Sequence, residues 1–175
     1  MRILKKTIFA LVALIAILAV IGLLLPSTYR VERSVTMRSS PEKIFPHLNT
    51  LKTWPDWTAW NTARYPDMKT NFIGPEAGLG AQYNWTGSEV GVGSLKITSS
   101  DPNKGIEYDL DFEGNLTKGS ITMTPAGDGV TVTWANWGDL GMNPISRYFG
   151  LMMDRFMAPD FETGLNNLKK KVESQ

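Results

Sequence analysis

The run GIEYDLDFEGN, Gly105 to Asn115, decides the fold. Ile106, Tyr108, Leu110 and Phe112 alternate with Glu107, Asp109, Asp111 and Glu113. A period of two puts the first set on one face of a β-strand and the second on the other. Gly114-Asn115 supplies a turn, and the residues after it resume the alternation with Ile121 and Met123. Strands joined by so short a link run antiparallel, because a parallel crossover needs about a dozen residues.

Outward from this hairpin the same signature repeats. Strands are expected at 29–37, 68–73, 81–86, 91–100, 104–113, 116–125 and 129–138, punctuated by turns such as Asp101-Pro102-Asn103 and Gly127-Asp128-Gly129. Tyr83 and Trp85 share one face of their strand, as do Leu95 and Ile97, and Val130, Val132 and Trp134. A sheet with one apolar face and one polar face needs a partner on one side only.

That partner lies at the C-terminus. From Asn143-Pro144 the spacing turns helical through Ile145, Phe149, Met152 and Phe156, then Phe161, Leu165, Leu168 and Val172. Pro159 is expected to kink or divide the run near Ala158. Between the first and second strands, Ser40-Pro41-Glu42 starts a short helix that Pro46 should interrupt, and a second turn follows at Leu51–Trp54. A curved antiparallel sheet around one long C-terminal helix is the helix-grip architecture, an α+β fold.

The N-terminus reads differently. Thr7 to Leu25 (TIFALVALIAILAVIGLLL) holds no charge, and Pro26 ends it. At ~1.5 Å per residue it spans roughly 28 Å, close to the thickness of a bilayer's hydrocarbon layer. A cleaved signal peptide is the alternative. Its apolar region usually runs about 7–15 residues before a small-residue site; here Val20 and Gly22 come nearest to such a pair. A transmembrane anchor over residues 1–26 and a domain over 27–175 are the expected divisions. Arg2, Lys5 and Lys6 favour a cytoplasmic N-terminus, which places the domain outside the cytoplasm, in a periplasmic or extracellular space.

Composition narrows function. The chain has 18 Lys plus Arg, 17 Asp plus Glu, one His and no Cys, and residues 26–175 alone carry a net charge of −2. Bulk attraction to nucleic acid has no basis in that balance. Without cysteine there is no disulfide, thiolate metal site or thiol nucleophile. His47 stands beside Pro46 with no serine or carboxylate at a diagnostic spacing, so no catalytic residue, metal site or cofactor is assigned. Glu107, Asp109, Asp111 and Glu113 read as a solvated outer face. Gly78-Leu79-Gly80 and Gly91-Val92-Gly93 open no helix, which argues against a phosphate loop. Asn84 and Asn115 match the glycosylation pattern, relevant only in a secretory-pathway host.

Several stretches together carry a family resemblance: Val31–Val35 followed by Ser40-Pro41-Glu42-Lys43-Ile44-Phe45, then Trp54-Pro55-Asp56-Trp57, the Gly87–Gly93 hairpin, Val132-Thr133-Trp134 and Asp160–Leu165. Over about residues 28–172 the chain resembles the START-like SRPBCC superfamily, in its polyketide cyclase/dehydrase and lipid transport group. That resemblance implies a cavity between sheet and helix that takes an apolar or aromatic ligand. Tyr83, Trp85, Tyr108, Phe112, Met123 and Trp134 are expected on its sheet wall, opposite Phe149, Met152, Met153 and Phe156; a packed core is the plainer reading of the same stripe. Trp54 and Trp57, with Trp60, form a lid, a headgroup contact or a plug. Arg33 points inward by alternation, to pair with Asp160 or Glu162, to bind a ligand's carboxylate or phosphate, or to snorkel to water.

The expected function is a membrane-anchored domain that binds a hydrophobic small molecule or lipid, oriented by Arg33, Tyr83 and Tyr108. Its partners are then the bilayer, through residues 7–25, and that ligand. An aromatase/cyclase-type enzyme using the same cavity is the first alternative. A module that recognises another membrane protein through an exposed Trp54–Trp60 patch is the second.

Overall fold

Each of the seven strands begins and ends within one residue of the boundary expected from alternation. A computed structural model of the chain describes residues 2–174. In order, the elements are α1 (Arg2–Leu24), β1 (Thr28–Met37), α2 (Pro41–Asn49), a 3₁₀ turn (Leu51–Asp56), β2 (Lys69–Ile73), β3 (Gln82–Gly87), β4 (Gly91–Asp101), β5 (Gly105–Phe112), β6 (Asn115–Ala126), β7 (Gly129–Asp139), α3 (Pro144–Gly150) and α4 (Met153–Glu173). All seven strands form one antiparallel sheet in the order β1-β7-β6-β5-β4-β3-β2, the helix-grip fold.

The hairpins have local causes. Glu113 and Gly114 both take positive φ, 51° and 79°, in the two-residue link between β5 and β6. Two such residues match the right-handed twist of the flanking strands. The Glu113 carboxylate also accepts the Val92 N–H at 2.7 Å, tying this turn to the start of β4. Register places the β1 start, the β7, β5 and β3 ends, and the β4 and β6 starts at one edge of the sheet, through Thr28↔Asp139, Phe112↔Asn115, Gly93↔Phe112 and Trp85↔Gly93. This is the edge from which α1 departs.

Neither Pro46 nor Pro159 divides its helix. α2 continues past Pro46 to Asn49, and α4 past Pro159 to Glu173. Each proline faces solvent and removes one backbone donor, while buried residues on both sides hold the helix to the core: Ile44 and Leu48 in α2, Ala158 and Phe161 in α4. The break in the C-terminal run falls instead at Leu151–Met152, between α3 and α4.

That break corrects the expected helix face. Phe149, Met152 and Phe156 do not oppose the sheet; they are 58%, 43% and 54% exposed. The residues of α4 that meet the core are Ala158, Phe161, Gly164, Leu165, Leu168 and Val172, with Met153 and Met157 half-buried against it. Full burial of a side chain such as Leu165 or Leu168 stabilises the fold by roughly 1.5–3 kcal/mol. α3 turns away because its other face docks on α1. Gly22 of α1 is buried, and a Cβ there would come within 2.6 Å of Pro144 and 2.9 Å of the Tyr148 ring.

Candidate functional site

The centre of the grip is an aromatic cage. The Trp134 ring of β7 is contacted by Trp54, Trp57 and Trp60, with centroids 5.9, 5.3 and 5.8 Å away, and by Phe161 of α4. Gly164 permits this close packing, since a Cβ there would meet the Trp134 ring at 2.8 Å. Each buried polar handle is satisfied. The Trp134 indole N–H donates to the Tyr108 hydroxyl at 2.8 Å, Trp54 to the Leu48 carbonyl at 3.0 Å, and Trp57 to the His47 carbonyl at 3.3 Å. Trp54 and Trp57 are therefore buried within the domain, at 4% and 0% exposure, and present no exposed apolar patch.

Toward the α1 edge of the sheet the inner face loosens. α4 lies chiefly over β1, while α2 and the 3₁₀ turn reach β5 and β3. Exposure rises along the inner face: Tyr108 and Tyr83 are buried, Trp85 and Leu110 half-buried, and Phe112 is 45% exposed at the rim rather than enclosed. Phe72 stacks on Tyr83 with centroids 5.1 Å apart, and Tyr83 lies 5.5 Å from Trp85. Gly93, paired with Trp85, leaves room for the indole to lie flat across β4.

Two polar atoms here lack partners. The Tyr83 hydroxyl and the Trp85 indole N–H are buried and make no hydrogen bond. Burial also pushes the Tyr83 phenol up to about 12, so it remains a protonated donor at neutral pH. Beside them is a satisfied polar network. Tyr29 donates to Asn136 at 2.7 Å, and Asn136, fully buried, donates to the Thr117 hydroxyl and to the Lys118 carbonyl. Tyr29 and Asn136 are not among the expected site residues, although strand alternation places both inward beside Val31 and Trp134.

The other expected residues fall as follows. Met123 is buried over β7, opposite Val132. Arg33 shares the inner face, but its guanidinium reaches out to α4, with the Asp154 carboxylate at 2.9 Å through two N–H groups and Glu162 at 2.7 Å. These acids keep it protonated, and its ion pairs hold Asp154 below the usual carboxylate range. It is thus occupied by the protein. Asp160, the other expected partner, pairs with Arg64 instead. Glu107, Asp109, Asp111 and Glu113 lie on the outer side, where a shallow groove of about 770 Å³ runs past Asn71, Asn84 and Ser94. Among the described residues no group of three acids or histidines could hold a metal ion.

A family profile described as "Polyketide cyclase / dehydrase and lipid transport" matches residues 28–173. No curated protein matches the chain. Solved structures share the fold at low identity. A Rhodobacter sphaeroides protein is 18% identical with a TM-score of 0.60, covering 83% of this chain and 93% of its own. A Chromobacterium violaceum protein is 16% identical with a TM-score of 0.53, covering 85% and 99%. DynU16, encoded in the dynemicin biosynthetic locus, is 11% identical with a TM-score of 0.58, covering 83% of this chain and 47% of its own.

Proposed function

Because the chain belongs to the polyketide cyclase/dehydrase and lipid transport family, we propose that it binds a hydrophobic small molecule or lipid at the open end of its sheet, held at a bilayer by α1. The carrying observation is the unpartnered pair, Tyr83 Oη and Trp85 Nε1, on adjacent inward positions of β3. A buried polar group without a partner costs about 1–3 kcal/mol, and a ligand oxygen placed between the two would satisfy both.

The ligand is mainly apolar, since Phe72, Leu110 and the rest of this wall are aromatic or aliphatic. Its oxygen accepts from the indole and the phenol, and the apolar body displaces Trp85 and Phe112 at the rim. Met153 and Met157 on α4 are soft side chains that adapt to such a body. Tyr83 is the titratable group that lies between the two walls, while the Glu113 carboxylate at the rim is engaged by the Val92 N–H.

α1 is 23 residues long, roughly 35 Å of helix, and its side chains are almost all exposed, as suits a span in lipid. The proposal divides the chain near Pro26, with the N-terminal cations on the cytoplasmic side and the domain on the other. Tethering keeps the site at a high local concentration of membrane-dissolved ligand.

The test is native mass spectrometry and solvent extraction of the full chain in nanodiscs, beside the variants Tyr83→Phe and Trp85→Phe. The expected result is a co-purified apolar compound whose affinity falls roughly 2- to 10-fold for each lost hydrogen bond. An apo chain that also refuses a panel of fatty acids and phospholipids overturns the reading.

A further inference from the structure

Ile145, Phe149, Met152 and Phe156 form an apolar stripe, running from α3 across the break into α4, that the described residues leave largely exposed. Ile145 is 65% exposed, and Met142 and Leu151 extend the same apolar surface. The opposite face of α3 is spent on α1. Tyr148 donates its hydroxyl to the Leu18 carbonyl at 2.8 Å. Arg147, buried, donates to the carbonyls of Leu23 at 2.5 Å, Leu25 at 3.1 Å and Gly141 at 2.9 Å. Leu18 lies seven residues before the end of the apolar run, a depth of roughly 10 Å along the helix.

We infer that α3 and the turn after it are embedded in the leaflet from which α1 emerges, with Ile145, Phe149, Met152 and Phe156 facing lipid. The inference rests on α1 spanning a bilayer. If it does, the surroundings at Tyr148 are lipid, because α3 lies beside the last turns of the span. The chemistry of α3 suits that depth. Its one charge, Arg147, is turned inward onto backbone carbonyls, including those left without partners at the end of α1, so neither the cation nor those carbonyls face hydrocarbon. Gly22 brings the two helices close, as small residues do between helices in membranes. Trp137, with Arg30 stacked 5.0 Å from its ring, sits at the same edge of the sheet, an aromatic and a cation suited to the headgroup layer. The consequence is orientation. The edge carrying Trp85 and Phe112 is held at the membrane surface, so a lipid-dissolved ligand reaches it without crossing water.

The chain lacks cysteine, so single cysteines report unambiguously. Full-length Phe149→Cys, Met152→Cys, Ile15→Cys and Leu79→Cys, each carrying a fluorescent label, are reconstituted in vesicles of phosphatidylcholine and phosphatidylglycerol. Quenching by doxyl-lipid and by aqueous iodide is then compared. Labels at 149 and 152 should follow the label on α1 at 15, quenched severalfold more by lipid than the label at 79, in the exposed loop between β2 and β3. If 15 is in lipid while 149 and 152 match 79, this inference fails and the anchor stands. If 15 is also quenched by iodide, the anchor reading fails and carries this one with it. Labels at 149 and 152 shielded from both quenchers would mean that a second copy covers the stripe, which overturns the assignment to lipid.

Discussion

Trp134 of β7 and Phe161 of α4 stack face to face, with centroids 4.4 Å apart and planes 2° from parallel. This is the joint between the sheet and the helix it grips. Phe161→Ala removes the buried ring and leaves a void under Trp134, so a loss of about 3–5 kcal/mol is expected. Gly164→Ala, one turn on, pushes a methyl group against the same indole and should cost about 1–3 kcal/mol by overpacking. Urea unfolding followed by tryptophan fluorescence checks both. Near-neutral changes would mean that α4 is not held at this joint.

Tyr83 and Tyr108 make a controlled comparison, since both are buried inward tyrosines and only Tyr108 has a partner. Tyr108→Phe leaves the Trp134 N–H unpartnered and should cost about 1–3 kcal/mol. Tyr83→Phe removes an unsatisfied hydroxyl, so ligand-free stability should hold or rise while ligand affinity falls. Denaturant midpoints of the two variants with and without extracted ligand decide the point. A loss of stability in ligand-free Tyr83→Phe would show that its hydroxyl already has a partner.

The strands were legible because their signal is local: Val130 to Trp134 and Ile106 to Phe112 alternate whatever else the chain does. Alternation also assigns Tyr29, Arg33 and Asn136 to the inner face, yet it does not say where a long side chain ends. Arg33 starts inward and finishes on Asp154 and Glu162 at the surface of α4. The stripe from Ile145 to Phe156 was equally clear as a helical face, but periodicity carries no information about what the face meets. Its orientation depends on a long-range contact, Arg147 and Tyr148 on the end of α1, between residues more than 120 positions apart. Pro46 and Pro159 leave their helices undivided for a related reason, since burial on both sides of a proline outweighs one missing hydrogen bond.

His47 gives a pH prediction. Its pKa lies below the ordinary 6.5, first through burial and then through repulsion from Lys171, with Asp56 opposing. The folded state therefore favours the neutral ring, and the unfolded chain binds a proton more readily. This contribution to stability is full above about pH 6.5 and is lost as pH falls through the lowered folded value. As the sole histidine, its ring proton resonance can be followed by NMR. A midpoint below 6.5 and a shallower decline of stability between pH 7 and 5 in His47→Gln are expected; a midpoint at or above 6.5 counts against the burial account.

The proposed anchor predicts a mass. A chain that keeps α1 retains its full 19.4 kDa after expression and stays with the membrane through alkaline carbonate extraction. A processed chain would be lighter by the N-terminal segment and would leave in the supernatant. An impermeant maleimide applied from the non-cytoplasmic side should label Leu79→Cys, on the domain, in intact cells. Labelling only after lysis would reverse the orientation argued from Arg2, Lys5 and Lys6.

Arg147 predicts how firmly the domain is fixed to its helix. Its guanidinium joins α1 to the β7–α3 segment through the Leu23, Leu25 and Gly141 carbonyls, and among the described residues it pairs with no carboxylate. Arg147→Met keeps much of the packing volume and releases those carbonyls at the end of α1. Amide exchange in α3 and the Pro26–Thr28 link should then quicken severalfold, while the β5–β6–β7 core, which shares none of these bonds, keeps its protection. Gly22→Leu separates the same helices by a different route, through collision with Pro144 and Tyr148, and should reproduce the pattern. If exchange rises in the sheet as well, the joint is part of the domain's cooperative unit, and α1 stabilises the fold.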